Sequence, residues 1–390
     1  MQKIAILIVA AGTGTRAGEG LPKQYRPIAG LPLLAHTLRA LQAAAPHAKL
    51  RVTIHPDFTN LYHAATAGLP GLAPPVTGGG TRQESVWAGL EALAADAPDI
   101  VLIHDGVRPF VSTALVERAL AAAALHRAAV PGTAITDAIK LVDATGTICA
   151  TPPRPQLRAV QTPQAFDFQT ILLAHRQAAA NGITGLADDS AVAELAGLPV
   201  HVFAGDPANV KITHVEDFAL AEAKMRATCR DIRTGQGYDV HAFCPGDHVW
   251  LGGVRIDHDR SLTGHSDADV LLHAITDAIL GAIADGDIGA HFPPSDRQWQ
   301  GAASAIFLKD AVARVTRLGG FIAHIDATIV CENPKIGPHR DIVRASIAAI
   351  TGLDISRIAI KATTSERLGF TGRNEGMAVL ALATVRLPGE

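Results

Sequence analysis

Three short stretches in the last third of the chain contain the residue types of a metal site. Asp239 and His241 are two residues apart, and the run His265-Ser266-Asp267-Ala268-Asp269 precedes His273. On a strand Asp239 and His241 leave the same face, and on a helix Asp269 and His273 share a face because they are four residues apart. Two imidazoles and one carboxylate suit zinc, and three protein ligands leave a fourth position for a substrate oxygen. The sequence therefore predicts an open, catalytic metal centre.

A glycine-rich stretch near the start of the chain indicates a phosphate site. Ala10-Ala11-Gly12-Thr13-Gly14-Thr15-Arg16 directly follows an apolar run at 4–9. Glycine lets backbone N–H groups approach a phosphate closely. Arg16 lies in this loop and Lys23 follows it, and two cations so near a glycine loop suit a triphosphate whose leaving group must be neutralised.

The same loop also fits a dinucleotide fingerprint through the spacing Gly12-x-Gly14-x-x-Ala17. A dinucleotide fold places an acidic residue about 20 residues further on, where it binds a ribose hydroxyl. The segment 30–36 contains no acidic residue. This counts against one alternative, an NAD-type oxidoreductase fused to a zinc hydrolase.

Two further motifs belong with the glycine loop. Gly78-Gly79-Gly80 enters a helical pattern that contains Ser85 and has a ready N-cap. Asp105 follows an apolar run at 100–103, so we expect it at the carboxyl edge of a sheet, where it can hold Mg²⁺. Taken together, these residues predict a nucleotide site with a metal and several cations.

The elements that must position these residues fall into two groups. Up to about residue 225, strands alternate with helices, which predicts an α/β domain with a mostly parallel sheet and ligands beyond the carboxyl ends of its strands. The strands are predicted at 4–9, 50–54 and 100–104, and the helices at 33–45, 85–95, 113–126 and 216–227. From 234 onward we expect an α+β domain with strands at 237–241, 250–256, 322–330, 358–363 and 377–386, and helices at 267–284, 302–318 and 338–351. The predicted domains are 1–226 and 234–390, joined by a charged linker at 227–233.

Composition narrows the classes of partner. The chain has 390 residues and a formal net charge of −3 without a basic stripe, so nucleic-acid binding is not indicated. The four cysteines lie far apart and form no CxxC pair, which fits a reducing cytoplasm. No stretch reaches the roughly 18 apolar residues that a membrane span needs. We therefore expect a cytoplasmic enzyme that acts on small molecules.

The motifs of the first 225 residues resemble those of 2-C-methyl-D-erythritol 4-phosphate cytidylyltransferase, a Rossmann-like nucleotidyltransferase. They are Ala-Ala-Gly-x-Gly-x-Arg, Pro-Lys-Gln-Tyr, Gly-Gly-x-x-Arg-x-x-Ser-Val, His-Asp-x-x-Arg-Pro, Thr-Pro-Gln and Asn-Val-Lys. The resemblance implies that Arg16 and Lys23 stabilise the pentavalent α-phosphate of CTP. It implies nucleotide contacts from Gly12, Gly14, Gly78, Gly79 and Ser85. It assigns methylerythritol phosphate to Asp105, Arg108, Arg154 and Lys211. One departure is Ala138, where the family usually carries Thr beside the substrate.

Residues 234–390 resemble 2-C-methyl-D-erythritol 2,4-cyclodiphosphate synthase. The motifs are Gly-Tyr-Asp-Val-His, His-Ser-Asp-x-Asp-Val-x-x-His, Gly-Asp-Ile-Gly and Lys-Ala-Thr-Thr-Ser-Glu-Arg-Leu-Gly-Phe-Thr-Gly-Arg. The resemblance implies that Asp239, His241 and His273 bind zinc and that Glu366 helps to bind a second divalent cation. Phosphate contacts fall to Thr363 and the catalytic Thr364, and methylerythritol contacts to His265, Ser266 and Asp287. The other implied substrate contacts are Gly289, Pro334, Lys335, Ile336, Phe370 and Arg373, with residues 334–336 lining the cytosine pocket.

The two resemblances together imply a bifunctional enzyme of non-mevalonate isoprenoid synthesis. The first domain makes the CDP-methylerythritol, a separate kinase phosphorylates it, and the second domain cyclises it with release of CMP. The implied cofactors are Zn²⁺ at the C-terminal site and Mg²⁺ at both sites, and the implied assembly is a homo-oligomer based on trimers. The remaining alternative is a non-catalytic scaffold with a structural zinc, which predicts a closed, commonly Cys-rich site.

Overall fold

The computed structural model describes residues 2–13 and 20–389. The chain divides into two compact units, residues 1–221 and 222–390, and the division falls inside the helix Val215–Thr228. The predicted linker at 227–233 is wrong for most of its length. That helix continues to Thr228, and from Asp231 the backbone pairs with the last strand of the chain, so a charged composition here marks ordered structure.

The first unit contains an eight-stranded sheet. The strands of the whole unit, inside and outside this sheet, are β1 (Ile4–Ala10), β2 (Pro27–Ile28), β3 (Leu31–Pro32), β4 (Lys49–Ile54), β5 (Val76–Thr77), β6 (Ile100–Asp105), β7 (Ala128–Ala134), β8 (Leu141–Val142), β9 (Ile148–Ala150), β10 (Arg158–Val160), β11 (Gln164–Asp167) and β12 (His201–Ala204). The sheet order is β10-β7-β11-β6-β1-β4-β5, with β12 on β7, while β2–β3 and β8–β9 form separate hairpins. Strands β5, β4, β1 and β6 run parallel, and β11 is antiparallel to both neighbours. The predicted mostly parallel sheet is confirmed.

Helices cover both faces of this sheet. They are α1 (Leu33–Ala44), α2 (Thr59–Thr66), α3 (Arg82–Leu93), α4 (Thr113–His126), α5 (Phe168–Ala180), α6 (Asp189–Leu195) and α7 (Val215–Thr228). Alternate residues of β1 enter different cores: Ile6 and Ile8 pack with residues of α1 and α4, and Ala5 and Leu7 with residues of α3 and α5. A strand buried on both faces reads as one continuous apolar run, and this is the run at 4–9.

The second unit is an α+β domain. Its strands are β13 (Asp231–Pro245), β14 (His248–Leu251), β15 (Val254–Asp257), β16 (Arg260–Leu262), β17 (Phe321–Val330), β18 (Ile358–Thr363) and β19 (Gly376–Leu387). Its helices are α8 (Val270–Ala282), α9 (Ile288–His291), α10 (Ala305–Arg317), α11 (Arg340–Thr351) and α12 (Gly369–Gly372). The main sheet has the order β16-β13-β19-β17-β18, and only β17 and β18 pair in parallel.

Helix α8 lies unusually close to β13 because two glycines face it. A Cβ atom on Gly237 would lie 1.9 Å from the carbonyl oxygen of Ala274, and one on Gly235 would lie 2.1 Å from that of Ala278. Nearly every residue of α8 is buried, and a single stripe at four-residue spacing is not: His273, Asp277 and Gly281. The helix therefore presents one narrow polar edge from an otherwise apolar surface.

The opposite face of this sheet carries apolar side chains in the open. Tyr238 pairs across the strands with Leu380, and both are exposed, as are Val240 and Leu382. An antiparallel sheet usually packs one face on the core and carries polar residues on the face exposed to solvent.

In the described parts of both units, no helix is long and apolar enough to cross a membrane.

Candidate functional sites

The first unit has a cavity of about 330 Å³ at the carboxyl ends of its central parallel strands. This is where ligands bind in such sheets. Several predicted residues line it: Gly12, Lys23, Gly79, Ser85, Asp105 and Lys211. Arg16 and Gly14 were also predicted here, and they lie outside the described residues.

The second glycine loop is built into the start of α3. Thr81 and Glu84 form a reciprocal capping box at this helix end. The hydroxyl of Ser85 donates to the carbonyl of Thr81 at 2.9 Å and accepts from the N–H of Gly79 at 3.2 Å. A Cβ atom on Gly78 would lie 2.4 Å from that of Ala11, so only glycine lets the two loops approach this closely.

Gln24 holds the first loop against the sheet end. Its buried amide donates to the carbonyl oxygens of Ala10, at 2.8 Å, and Gly12, at 2.7 Å. Both hydrogen bonds hold the backbone of the loop in place where it leaves β1. Gln24 belongs to a motif of the sequence, but no role was predicted for it. Local spacing does not reveal its contact with Ala10, which lies 14 residues earlier in the chain.

Asp105 is the centre of a charged cluster on the floor of this cavity. Its carboxylate accepts from Lys211 at 2.9 Å, from Arg108 at 3.3 Å and from Arg82 at 3.5 Å. Burial raises the pKa of Asp105, but the three cations outweigh burial and hold that pKa well below its usual range. Arg82 also pairs with the buried Asp189 at 2.8 Å. Three cations thus face two carboxylates, and the surplus positive charge suits a phosphate group.

The predicted role of Asp105 as a magnesium ligand does not fit this geometry. Asp105 is the one carboxylate among the described residues that line the cavity, and three cations already occupy its oxygens. Magnesium favours sites with one or two available carboxylates plus substrate phosphates. The structure thus makes Asp105 an organiser of cations.

Asp239, His241 and His273 form the predicted metal triad in the second unit. Their candidate ligand atoms all lie within 4.8 Å of one another. Oδ2 of Asp239 is 2.9 Å from Nε2 of His241 and 3.1 Å from Nδ1 of His273. The two imidazole nitrogens are 3.3 Å apart. Strand β13 supplies the first two residues and α8 the third, so the sequence placed them on the correct types of element.

Neighbouring groups fix the proton on each imidazole. Nδ1 of His241 donates to the carbonyl oxygen of Thr263 at 2.5 Å. Nε2 of His273 lies 2.8 Å from the hydroxyl of Ser304, which in turn donates to Asp267. The nitrogens that face Asp239 are therefore the ones available to a metal, which would take the place of any proton there. Burial lowers the pKa of His241, but the Asp239 carboxylate outweighs burial and raises it above the ordinary value.

The triad opens into a second cavity of about 480 Å³. The predicted residues His265, Ser266 and Gly289 line it, together with the aromatic rings of Phe292, Trp299 and Phe307. Asp277 lines it as well, four residues after His273 on the polar edge of α8. Asp277 was not predicted as a site residue, although a lone carboxylate four residues after a predicted ligand in an apolar helix was the available signal.

Comparisons with known proteins match each part of the chain to a family. The family described as 2-C-methyl-D-erythritol 4-phosphate cytidylyltransferase, IspD, matches residues 4–227, and the YgbB family matches residues 232–386. Bifunctional enzyme IspD/IspF of Rhodopseudomonas palustris (strain BisB18) is 57% identical over 390 residues, covering 99% of this chain and 97% of the relative. The same enzyme of Nitrobacter hamburgensis is 58% identical, covering 99% and 96%. The chain belongs to the bifunctional IspD/IspF family.

Solved structures agree with the IspD/IspF assignment. The bifunctional IspDF of Campylobacter jejuni is 29% identical with a TM-score of 0.50 and covers 99% of both chains. The 4-diphosphocytidyl-2C-methyl-D-erythritol synthase of Anaerococcus prevotii is 30% identical with a TM-score of 0.50, covering 57% of this chain and 98% of its own. The predicted fold class, an α/β domain followed by an α+β domain, is confirmed.

Some residues predicted from the IspD/IspF resemblance do not line either cavity. Arg154 is exposed and donates to the carbonyl of Thr136 at 2.8 Å, and it is not among the residues lining the first cavity. Asp287 caps α9 by accepting a hydrogen bond from the N–H of Ala290. Its neighbours Ile288 and Gly289 line the second cavity, and Asp287 is not among the lining residues. Ala138 is exposed in the segment before β8.

A further set of predicted residues forms a separate group at the ends of β17 and β18. The N–H of Cys331 bonds to the carbonyl of Thr363 at 3.1 Å, which brings residues 334–336 near the Thr363 segment. Two strands, β19 and β17, separate β18 from β13, a distance of about 14 Å at ordinary strand spacing. None of this group lines the cavity of the triad. The group contains Pro334, Lys335, Ile336, Thr363, Thr364 and Glu366, whereas Phe370 and Arg373 lie in and just after α12, before β19.

The acidic residues between His265 and His273 are structural in this fold. Both oxygens of Asp269 accept from the N–H groups of Gly252 and Gly253, and one also caps α8. The expectation that Asp269 shares a helix face with His273 is wrong, because Asp269 precedes the first turn as its cap. Asp267 accepts from the N–H and hydroxyl of Ser304.

Proposed function

We propose that this chain catalyses two steps of isoprenoid precursor synthesis, with the residues of each cavity in the roles given below. The first unit transfers CMP from CTP to 2-C-methyl-D-erythritol 4-phosphate and releases diphosphate. The second unit cyclises the phosphorylated CDP-methylerythritol to the 2,4-cyclodiphosphate and releases CMP. The observation that carries the second role is the Asp239, His241 and His273 triad at the mouth of its cavity.

In the first unit, Lys23 neutralises charge that develops on the α-phosphate as the polyol phosphate attacks. It lines the cavity beside the glycine loop, where an ammonium group reaches a bound triphosphate. Arg16, in the same motif, shares this role. Lys211 and Arg108 hold the phosphate of the incoming polyol, and Asp105 keeps their heads together at the strand end. Gly79 and Ser85 bind the nucleotide from the start of α3.

In the second unit, the triad residues hold a divalent cation, and we assign it as zinc because two imidazoles and one carboxylate form a typical zinc donor set. A metal held by these residues would supply Lewis-acid chemistry by drawing charge from a phosphate oxygen. Thr263 and Ser304 keep the His241 and His273 rings oriented for this task. His265, Ser266 and Gly289 bind the methylerythritol part of the substrate in the cavity. Magnesium would enter both sites on substrate phosphates, with Glu366 as a partner in the second unit.

A trimer-based homo-oligomer is the assembly we propose. In one chain the triad cavity and the group at the ends of β17 and β18 lie apart, yet one substrate carries both a diphosphate and a cytosine. A second copy that contributes its Thr363 segment would complete the site. The exposed apolar side chains Tyr238, Val240, Leu380 and Leu382 support contact between copies, because such a face is covered in most stable proteins.

The substrates are small phosphorylated molecules, and the location we propose is the cytoplasm. All four cysteines are free thiols, which supports a reducing compartment. A coupled assay tests the two activities. Diphosphate release from CTP plus methylerythritol phosphate reports the first unit, and CMP release from the phosphorylated CDP-methylerythritol reports the second. A chain that performs neither reaction would contradict the proposal.

A further inference from the structure

Among the described residues that line the triad cavity, Asp277 is the one carboxylate that no proposed role uses. It lies one helical turn after His273 on the polar edge of α8, so both side chains point into the same space. Every other residue of α8 except these two and Gly281 is buried. A half-buried carboxylate on such a helix loses hydration, and that loss requires hydrogen-bond donors in return.

One oxygen of Asp277 has a backbone donor, and the residue lines the triad cavity. Oδ1 accepts from the N–H of Ile288 at 2.8 Å, which ties the start of α9 to α8. Within residues 2–13 and 20–389, Oδ2 has no hydrogen-bond partner, and no Lys or Arg pairs with this carboxylate. Burial is the main cause that raises the pKa of Asp277, and the negative charges of Asp287 and Asp239 add to the rise. Its surroundings are thus poor in positive charge.

This setting favours a neutral donor over a phosphate. A phosphate oxygen next to Asp277 would be repelled by its carboxylate, whereas a hydroxyl donates a hydrogen bond without adding negative charge. The apolar rings of Phe292 and Phe307 line the same cavity. We propose that Oδ2 of Asp277 accepts a hydrogen bond from a free hydroxyl of the substrate's polyol and so orients the polyol relative to the triad.

This inference rests on the proposed cyclisation and adds a specificity residue to it. In the substrate, the polyol carries two phosphorylated oxygens and two free hydroxyls. A carboxylate one helical turn from a metal ligand would orient the polyol, with a free hydroxyl at Asp277 and a phosphate at the triad. Substrates that lack the hydroxyl would leave Oδ2 buried without a donor, which is the strongest form of discrimination available to a polar site.

The test is the variant Asp277→Asn in the full chain. Asparagine keeps an oxygen for the N–H of Ile288 and replaces the other oxygen with a donor. Kinetics would be measured with the natural substrate and with two analogues, each lacking one free polyol hydroxyl. We expect kcat/KM for CMP release to fall about 10- to 100-fold with the natural substrate. With the analogue that lacks the contacting hydroxyl, kcat/KM of the wild type should fall by a similar factor. With this analogue, kcat/KM of the variant should be less than about threefold below that of the wild type.

Two controls separate this role from a structural one. Zinc content and the thermal midpoint should be unchanged in Asp277→Asn, and the exposed carboxylate variant Asp341→Asn should match wild type in every measurement. An equal loss with all three substrates, a loss of zinc, or an undiminished kcat/KM would each overturn the inference. A wild-type chain that releases no CMP would instead overturn the proposed cyclisation, so the two failures are distinguishable.

Discussion

Nε2 of His241 lies 3.3 Å from Nδ1 of His273, although 32 residues separate them in the chain. The distance follows from the packing of α8 on β13, because Gly237 brings the helix backbone against the strand two residues before Asp239. The metal site and the packing of these two elements are therefore one structural problem. A change in either should appear in both.

The first prediction tests this link with Gly237→Ala. The new Cβ atom would lie 1.9 Å from the carbonyl oxygen of Ala274, so α8 must move away from β13. Overpacking of this kind costs about 1–3 kcal/mol of stability. We expect a weaker zinc affinity, measured by competition with a chelating dye, and a lower unfolding midpoint. Gly281→Ala is the matched control: its nearest contact would be 3.9 Å away, so zinc affinity should be retained.

The second prediction is that the two sites are chemically independent. His241→Ala removes a metal ligand from the second unit and touches no residue that lines the cavity of the first. CMP release should be lost by at least about a hundredfold, while diphosphate release from CTP stays within about twofold of wild type. Both rates come from the coupled assay on the same preparation. Loss of both activities in a folded chain would contradict two autonomous sites.

The third prediction concerns Lys23. If its ammonium stabilises charge present mainly in the transition state, Lys23→Ala should lower kcat of cytidylyl transfer by at least about a hundredfold, with a smaller effect on CTP binding. Steady-state kinetics and equilibrium titration of CTP separate the two effects. The exposed variant Lys49→Ala, whose ammonium pairs with Asp96, serves as the control. A near-normal kcat would exclude Lys23 from the catalytic role.

Several residues of both sites could be predicted from the sequence because local spacing determines their positions on strands and helices. The period of two in Asp239 and His241 and the apolar run ending at Asp105 each place a residue at a strand position without knowledge of the fold. Contacts between distant segments were beyond it. Gln24 on the first loop, Arg82 between Asp105 and Asp189, and Asp277 beside α9 act through partners that only tertiary packing brings near.

The errors in the fold prediction have the same origin. The segment 227–233 is charged, which is typical of a linker, yet β19 supplies a pairing partner that composition does not reveal. The strand β11 was not predicted, because it is short and runs antiparallel between β6 and β7. Local patterns specify the elements, and tertiary partners decide where each one begins and ends.

The fourth prediction is a loss of stability of the first unit on mild acidification, caused by His104. Burial lowers the pKa of this fully buried histidine to about 4, against an ordinary value of 6.5. The hydrogen bond to the backbone carbonyl of Arg108 and the charge of Asp105 oppose this shift, and the side-chain charges of Arg108 and Lys211 add to it. Between these pH values the unfolded chain binds a proton that the folded chain does not. Stability should therefore fall as the pH drops from about 6.5 to 4, by about 3 kcal/mol in total.

Urea unfolding at several pH values checks this, with pulse-labelling hydrogen exchange read on peptides of β6 so that the first unit is followed alone. His104→Gln should flatten the pH dependence, even if the variant is less stable throughout. His63→Gln, at an exposed position on α2, should keep the wild-type dependence. An unchanged slope in His104→Gln would assign the acid sensitivity to another group.

The last prediction is that the zinc is catalytic and open. Asp239, His241 and His273 are the described group that can hold a metal, and the nearest competitors are engaged or turned elsewhere. Asp267 accepts from Ser304, and His265 lines the cavity without joining the triad. The second unit also has a large apolar core of its own, from Val249 to Leu387, that needs no metal. Chelation should thus stop CMP release while circular dichroism of the chain stays nearly unchanged, and zinc should restore the activity. Unfolding of the second unit on chelation would indicate a structural metal, and a metal-bound structure with His265 or Asp267 on the zinc would contradict an open site.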